Sequence, residues 1–203
     1  MFFRKKRQAD NICKAGFVDV ETTGLKPPED EIIELAIVLV SYNPDNGELL
    51  KLLQKYTGFR EPATLISRKA TKVHGLTFKD VKGKKLDRRA ISKIITNADL
   101  VVAHNTKFDY QFLICYMQEF ENKPWYCSME QLSWPGGARA LEKIAEAFGL
   151  AGAVKHHRAI DDVAIMVDLL NRKDEEGQRY FKRLLDAGPL PEDRFIPFKP
   201  IRI

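Results

Sequence analysis

Cysteine is scarce in this chain, and the three present, Cys13, Cys115 and Cys127, form no CxxC pair. That spacing excludes a disulfide framework and a thiolate zinc or redox site, and it reads as free thiols in a reducing compartment, by expectation the cytoplasm. Long apolar runs are missing too. No stretch approaches the ~18–20 apolar residues a membrane span needs, so no membrane is expected among the partners. The basic start, MFFRKKRQAD, is not followed by an apolar region and does not read as a secretory signal, so residues 1–13 are expected to form a solvated basic arm. Internal repeats and low-complexity linkers are likewise absent. Neither charge dominates: 33 Lys and Arg against 28 Asp and Glu leave +5, compatible with a polyanionic partner but no evidence for one alone.

What is present fits one compact domain, since 203 residues with 44% hydrophobic side chains can bury a full core. An apolar run at 15–20 meets the turn signal Thr22-Thr23-Gly24, and a β-branched run follows at 32–40. The turn NPDNG (43–47) then returns the chain as a third strand at 48–56, and three strands joined so tightly are expected to be antiparallel neighbours. Helices are expected over 62–73, 87–97, 106–120, 138–148, 157–170 and 175–186, with short strands at 99–103 and 125–127. The pattern predicts an α/β mixed sheet covered by helices, spanning 14–187. The proline-containing tail, 188–203, is expected to be irregular, either wrapping the domain or disordered.

Three segments carry candidate chemistry. In FVDVE the alternation of a strand puts Asp19 and Glu21 on one face with Val18 and Val20 behind them, and paired carboxylates repel unless a cation joins them. In VVAHNTKFD a buried strand runs into a helix whose first turn carries Asp109, near the carboxyl end of the strand where ligands of α/β sheets bind. In HRAIDD, His157 and Asp162 stand five apart at a helix start. Each is unremarkable singly: an acidic strand edge, a carboxylate favoured by a helix dipole, a histidine near a cap.

Together and in order, VDVETTGL (18–25), VHGLT (73–77), AHNTKFD (103–109) and HRAIDD (157–162) resemble the DEDDh family of 3′→5′ exonucleases, which includes the proofreading epsilon subunit of bacterial DNA polymerase III. The likeness covers roughly residues 14–172. His156 and Asp161 are also five apart, but the family pattern wants a small residue two after the histidine, which Ala159 supplies for His157 and Arg158 denies to His156. The resemblance implies a ribonuclease H-like fold with a central five-stranded mixed sheet. It also implies two Mg²⁺ or Mn²⁺ ions held by Asp19, Glu21, Asp109 and Asp162, with His157 as general base. An oxygen-only ligand set suits those hard cations, and a histidine near pH 7 suits proton transfer.

Thr22, Thr23, Leu25, His74, His104 and Phe108 are the candidate contacts to the substrate's last nucleotides. VHGLT favours a DNA proofreading or repair role, with a polymerase or another replication or repair protein as the suggested partner. Trimming of RNA 3′ ends is the alternative, and a non-catalytic nucleic-acid-binding module a further one, disfavoured because all five catalytic positions are filled.

Overall fold

A computed structural model describes residues 12–150 and 158–195. Five strands form one sheet in the order β3-β2-β1-β4-β5: β1 (Cys13–Thr22), β2 (Ile32–Asn43), β3 (Glu48–Phe59), β4 (Leu100–Ala103) and β5 (Trp125–Cys127). The first three strands pair antiparallel, as the tight connections predict, and β4 and β5 add in parallel. β1 is therefore central, flanked by β2 along its whole length and by β4 only over Ala15–Phe17. A register shift between Glu21 and Thr22 ends its regular pairing with β2.

Helices cover both faces. On one face, Ala15 and Phe17 of β1 pack with Ile144 of α5 (Leu141–Ala147), with Val163 and Met166 of α6 (Ala159–Asn171), and with Phe181 of α7 (Tyr180–Asp186). On the other, Val18 and Val20 pack with Ile91 and Ile95 of α3 (Arg88–Thr96) and with Phe112 and Leu113 of α4 (Thr106–Tyr116). Burying both faces explains why β2 reads as a continuous apolar run rather than an alternating one. Between β3 and α3 lie two short helices, α1 (Arg68–His74) and α2 (Phe78–Val81). Among the described residues no helix is long and apolar enough to cross a membrane.

Several element bounds differ from expectation for local polar reasons. Residues 62–67 are not helical: the Glu31 carboxylate takes the backbone N–H groups of Ala63 and Thr64, and α1 starts only where Ser67 caps it. Phe78–Val81, outside the expected helices, is a helical turn started by the Thr77–Asp80 capping box. Downstream, α7 begins at Tyr180 because Asp174 accepts from the N–H groups of Glu176 and Gln178 and pairs with Arg183, closing a turn instead of a helix. The described part of the tail does pack on the domain. Leu190 donates to the Trp125 carbonyl at 2.7 Å, and Phe195 stacks on Tyr110 with ring centroids 4.1 Å apart.

Candidate active site

The carboxylates of Asp19, Glu21 and Asp162 converge where β1 meets the start of α6. Each offers an oxygen, and these three oxygens lie within 4.8 Å of one another. Strand alternation turns Asp19 and Glu21 toward the helix-covered face that α6 occupies. Asp162 lies in the first turn of α6 and is buried, whereas its neighbour Asp161 is exposed. Of the two aspartates in HHRAIDD, Asp162 is therefore the one that reaches the cluster.

Asp109 arrives from α4. Because β4 ends at Ala103, β1 has no neighbour on that side beyond Phe17, and its Val20 N–H is open. The Asp109 Oδ1 atom accepts that N–H at 3.2 Å, which pins the carboxylate beside the strand end. A buried backbone donor thus acts as the local anchor for the fourth acid.

Electrostatics mark the cluster as unfavourable without cations. Burial, then the charges of Asp109, Glu21 and Asp162, hold the Asp19 carboxyl well above the usual carboxylate range. Burial, followed by Asp162 and Glu34, raises Glu21 to about 9. Asp109 is raised to about 8, again chiefly by burial and despite its bond from Val20. Protonation or a bound cation are the two ways to relieve such crowding. Because every donor is a carboxylate oxygen, the set fits Mg²⁺ or Mn²⁺ and offers nothing to a soft metal.

Sequence reading missed a fifth acid. Glu34 stands directly opposite Glu21 in the β1–β2 register, on the same face, with 0% exposure. Arg158, the residue preceding α6, neutralises it through Nε to Oε2 at 3.1 Å and Nη2 to Oε1 at 3.0 Å, and lies over the Phe59 ring. A lone glutamate inside the apolar run IIELAIVLV was the available signal, since a buried charge demands a partner. With that pair neutral, Asp19, Glu21, Asp109 and Asp162 leave four negative charges, which two divalent ions balance.

His157 lies outside the described residues, one position before Arg158. Among the substrate-contact candidates, Leu25 is 78% exposed and Phe108 is half-buried against Phe112. Thr22 and Thr23 are buried, the first donating to the Gly24 carbonyl and the second to Asp30 while accepting from the Glu31 N–H. A Cβ at position 24 would meet the Asp30 carboxylate oxygens at 2.4 Å, so a side chain in place of Gly24 would displace the carboxylate that Thr23 bonds. His74 is buried, its Nε2 bonded to the Thr22 carbonyl and its Nδ1 accepting the Leu76 N–H, so the ring is neutral and ties α1 to the end of β1. His104 bonds the Arg139 carbonyl through Nε2 and Ser128 through Nδ1, and burial lowers its pKa.

Residues 17–170 match the RNase_T family model, described as Exonuclease. The chain is 28% identical over 163 residues to the PolC-type DNA polymerase III of Thermotoga maritima, covering 76% of this chain but only 11% of that protein. To the DNA polymerase III subunit epsilon of Aquifex aeolicus it is 25% identical over 201 residues, 90% of this chain and 95% of that one. Among solved structures it shares its fold with exonuclease X in complex with 5′ overhanging duplex DNA. The TM-score there is 0.56 at 24% identity, over 83% of this chain and 99% of that one.

Proposed function

The chain belongs to the exonuclease family, and on that premise we propose that it is a two-metal 3′→5′ exonuclease that removes nucleoside 5′-monophosphates from DNA. The observation that carries this reading is the convergence of the Asp19, Glu21 and Asp162 oxygens, with Asp109 fixed beside them by the Val20 N–H. By resemblance, Asp19, Glu21, Asp109 and Asp162 would together hold two divalent ions. Two divalent ions held there supply charge stabilisation to the attacking and leaving oxygens of an in-line displacement.

The chain's own groups do the rest. His157 takes the proton of the attacking water while the phosphorus–O3′ bond breaks and the departing O3′ picks up a proton from solvent, leaving a 5′-monophosphate and a new 3′-hydroxyl on the shortened strand. Leu25, exposed beside the site, packs against the last base and half-buried Phe108 lines the approach, while Thr22 and Thr23, buried with their hydroxyls engaged, hold the loop behind them in shape. His74 and His104, with ring nitrogens already engaged by protein atoms, hold the rim in place. Kinship with polymerase III proteins supports single-stranded or frayed DNA ends as substrate, a role in proofreading or repair, and a replication protein as partner.

Incubation of the protein with 5′-labelled single-stranded DNA and RNA, with Mg²⁺, Mn²⁺ or EDTA, tests the reading. Stepwise shortening from the 3′ end is expected with either metal and not with EDTA, and Asp19→Ala is expected to abolish it. No shortening with metal, or an Asp19→Ala variant as active as wild type, sinks the proposal. Faster loss of RNA than of DNA transfers the assignment to RNA 3′ ends.

A further inference from the structure

The charge of this protein is unevenly placed. Residues 68–93 contain ten Lys and Arg against two carboxylates, a net of +8 in a chain that totals +5. All ten cations are exposed, and among the described residues none forms an ion pair with a carboxylate. Both acids of the segment are committed to its own backbone: Asp80 closes the capping box of α2, and Asp87 caps α3. A merely solvated helical surface usually alternates its charges, and this one does not.

The segment is also fastened to the carboxylate site. Ser67 donates to the Thr23 carbonyl at 3.0 Å, and His74 is bonded to the Thr22 carbonyl at 3.2 Å, so α1 starts and ends against the strand that carries Asp19 and Glu21. Lys84 lies 4.3 Å from the centroid of the Phe59 ring, the same ring over which Arg158 sits at 5.1 Å, and Arg158 holds the Glu34 carboxylate beside Glu21. From there the stripe continues to Arg88, over Tyr116 at 4.8 Å. A positive band thus leads away from the carboxylate site.

We propose that this band, from α1 to α3, is the surface that holds the phosphate backbone of the nucleic-acid substrate behind its 3′ terminus. This deepens the exonuclease reading and rests on it for the identity of the polyanion. The chemistry supports it: a band of exposed cations that no carboxylate of the described residues neutralises attracts a polyphosphate, and its position beside the carboxylate site sets the direction from which the strand enters. Both a single strand and a duplex carry this backbone, and the two are separated by the test.

The test replaces four of the exposed lysines in the full chain: Lys69→Gln, Lys72→Gln, Lys82→Gln and Lys85→Gln. A control neutralises four lysines elsewhere, Lys51, Lys55, Lys143 and Lys173, in the same way. Binding of labelled single-stranded and blunt duplex oligonucleotides is followed by anisotropy in EDTA between 50 and 200 mM KCl, conditions chosen because counterion release makes log affinity linear in log salt. Separately, hydrolysis of p-nitrophenyl thymidine 5′-monophosphate with Mg²⁺ reads the catalytic site alone. The stripe variant is expected to flatten the salt slope by roughly 3 on single strands, or between about 3 and 4 on duplex, whichever form occupies the band. Its hydrolysis of the small ester should stay within twofold of wild type, and the control should keep the wild-type slope. A stripe variant whose slope changes by less than one unit on both oligonucleotides, or no more than the control's, overturns the inference. Wild-type protein that binds through the stripe but hydrolyses neither ester nor oligonucleotide overturns the exonuclease reading instead.

Discussion

Removing Arg158 while leaving Glu34 in place should cost far more than the reverse, because the two partners are buried to different depths. Glu34 has no exposed side-chain area, whereas the Arg158 side chain is 36% exposed. Arg158→Met keeps the packing of the aliphatic stem but strands a carboxylate in the sheet beside Glu21. Breaking a fully buried pair costs about 3–5 kcal/mol, and water on the arginine side trims this to about 2–3. Glu34→Gln leaves a cation that can turn to solvent and an amide oxygen that can still accept from it, and should cost about 1 kcal/mol, the value of one ordinary hydrogen bond. For a chain of this length about 2–3 kcal/mol corresponds to a drop in Tm of roughly 4–12 °C. Guanidinium unfolding of wild type, both singles and the double variant, in EDTA, closes a double-mutant cycle. The double variant should recover at least about 1 kcal/mol of the loss seen in Arg158→Met. Saturating Mg²⁺ should raise the Tm of Arg158→Met more than that of wild type, since the extra uncompensated carboxylate favours a cation. Strict additivity, or a Glu34→Gln variant as unstable as Arg158→Met, would refute the reasoning.

Protons and metal should compete at the site. Glu21 rises from 4.5 to about 9 and Asp109 from 3.8 to about 8, so the folded metal-free protein keeps protons that the unfolded chain releases near pH 4–5. By linkage the metal-free fold should therefore lose stability as pH climbs from about 5 to about 9, checked by Tm in EDTA across that range. Metal binding at pH 7 should release at least one proton, seen as a calorimetric enthalpy that depends on the buffer's ionisation heat; a buffer-independent enthalpy counts against the cluster. His104→Ala should cost about 0.5–1.5 kcal/mol by removing the bonds to Ser128 and to the solvent-accessible Arg139 carbonyl, with hydrolysis of the small ester nearly unchanged. A large loss of that hydrolysis with unaltered stability would instead place the ring among the substrate contacts.

Sequence made the strands and the pairing of Asp19 with Glu21 legible because both are governed by local rules. Alternation places Asp19 and Glu21 together on one face of a strand, and the tight turn at 43–47 leaves β2 and β3 no choice but antiparallel pairing. The non-helical stretch at 62–67 was hidden because its cause is remote in sequence: Glu31 captures the N–H groups of residues 63 and 64, overriding their propensity. The same holds for Glu34 and Arg158, 124 positions apart, whose meeting depends on α6 crossing the sheet at β2. Pattern identifies such a glutamate as anomalous, but only the fold supplies its counter-charge. His157 is the converse case: it was read entirely from sequence, and it lies outside the described residues.

The Glu34–Arg158 pair also bears on how the site can work at all. Glu34 faces Glu21 across the β1–β2 ladder, so without Arg158 five carboxylates would share one pocket, more negative charge than two divalent ions balance. The arginine that removes this excess immediately precedes the helix carrying Asp162 and immediately follows His157. Anchoring its guanidinium at two points to a buried strand therefore fixes the start of α6 relative to β1, and with it the separation of Asp162 from Asp19 and Glu21. Charge neutralisation and positioning are thus one interaction. Glu34→Gln should consequently weaken metal affinity or turnover by about 10–100-fold, the usual cost of losing a group that orients metal ligands, even where it barely alters stability.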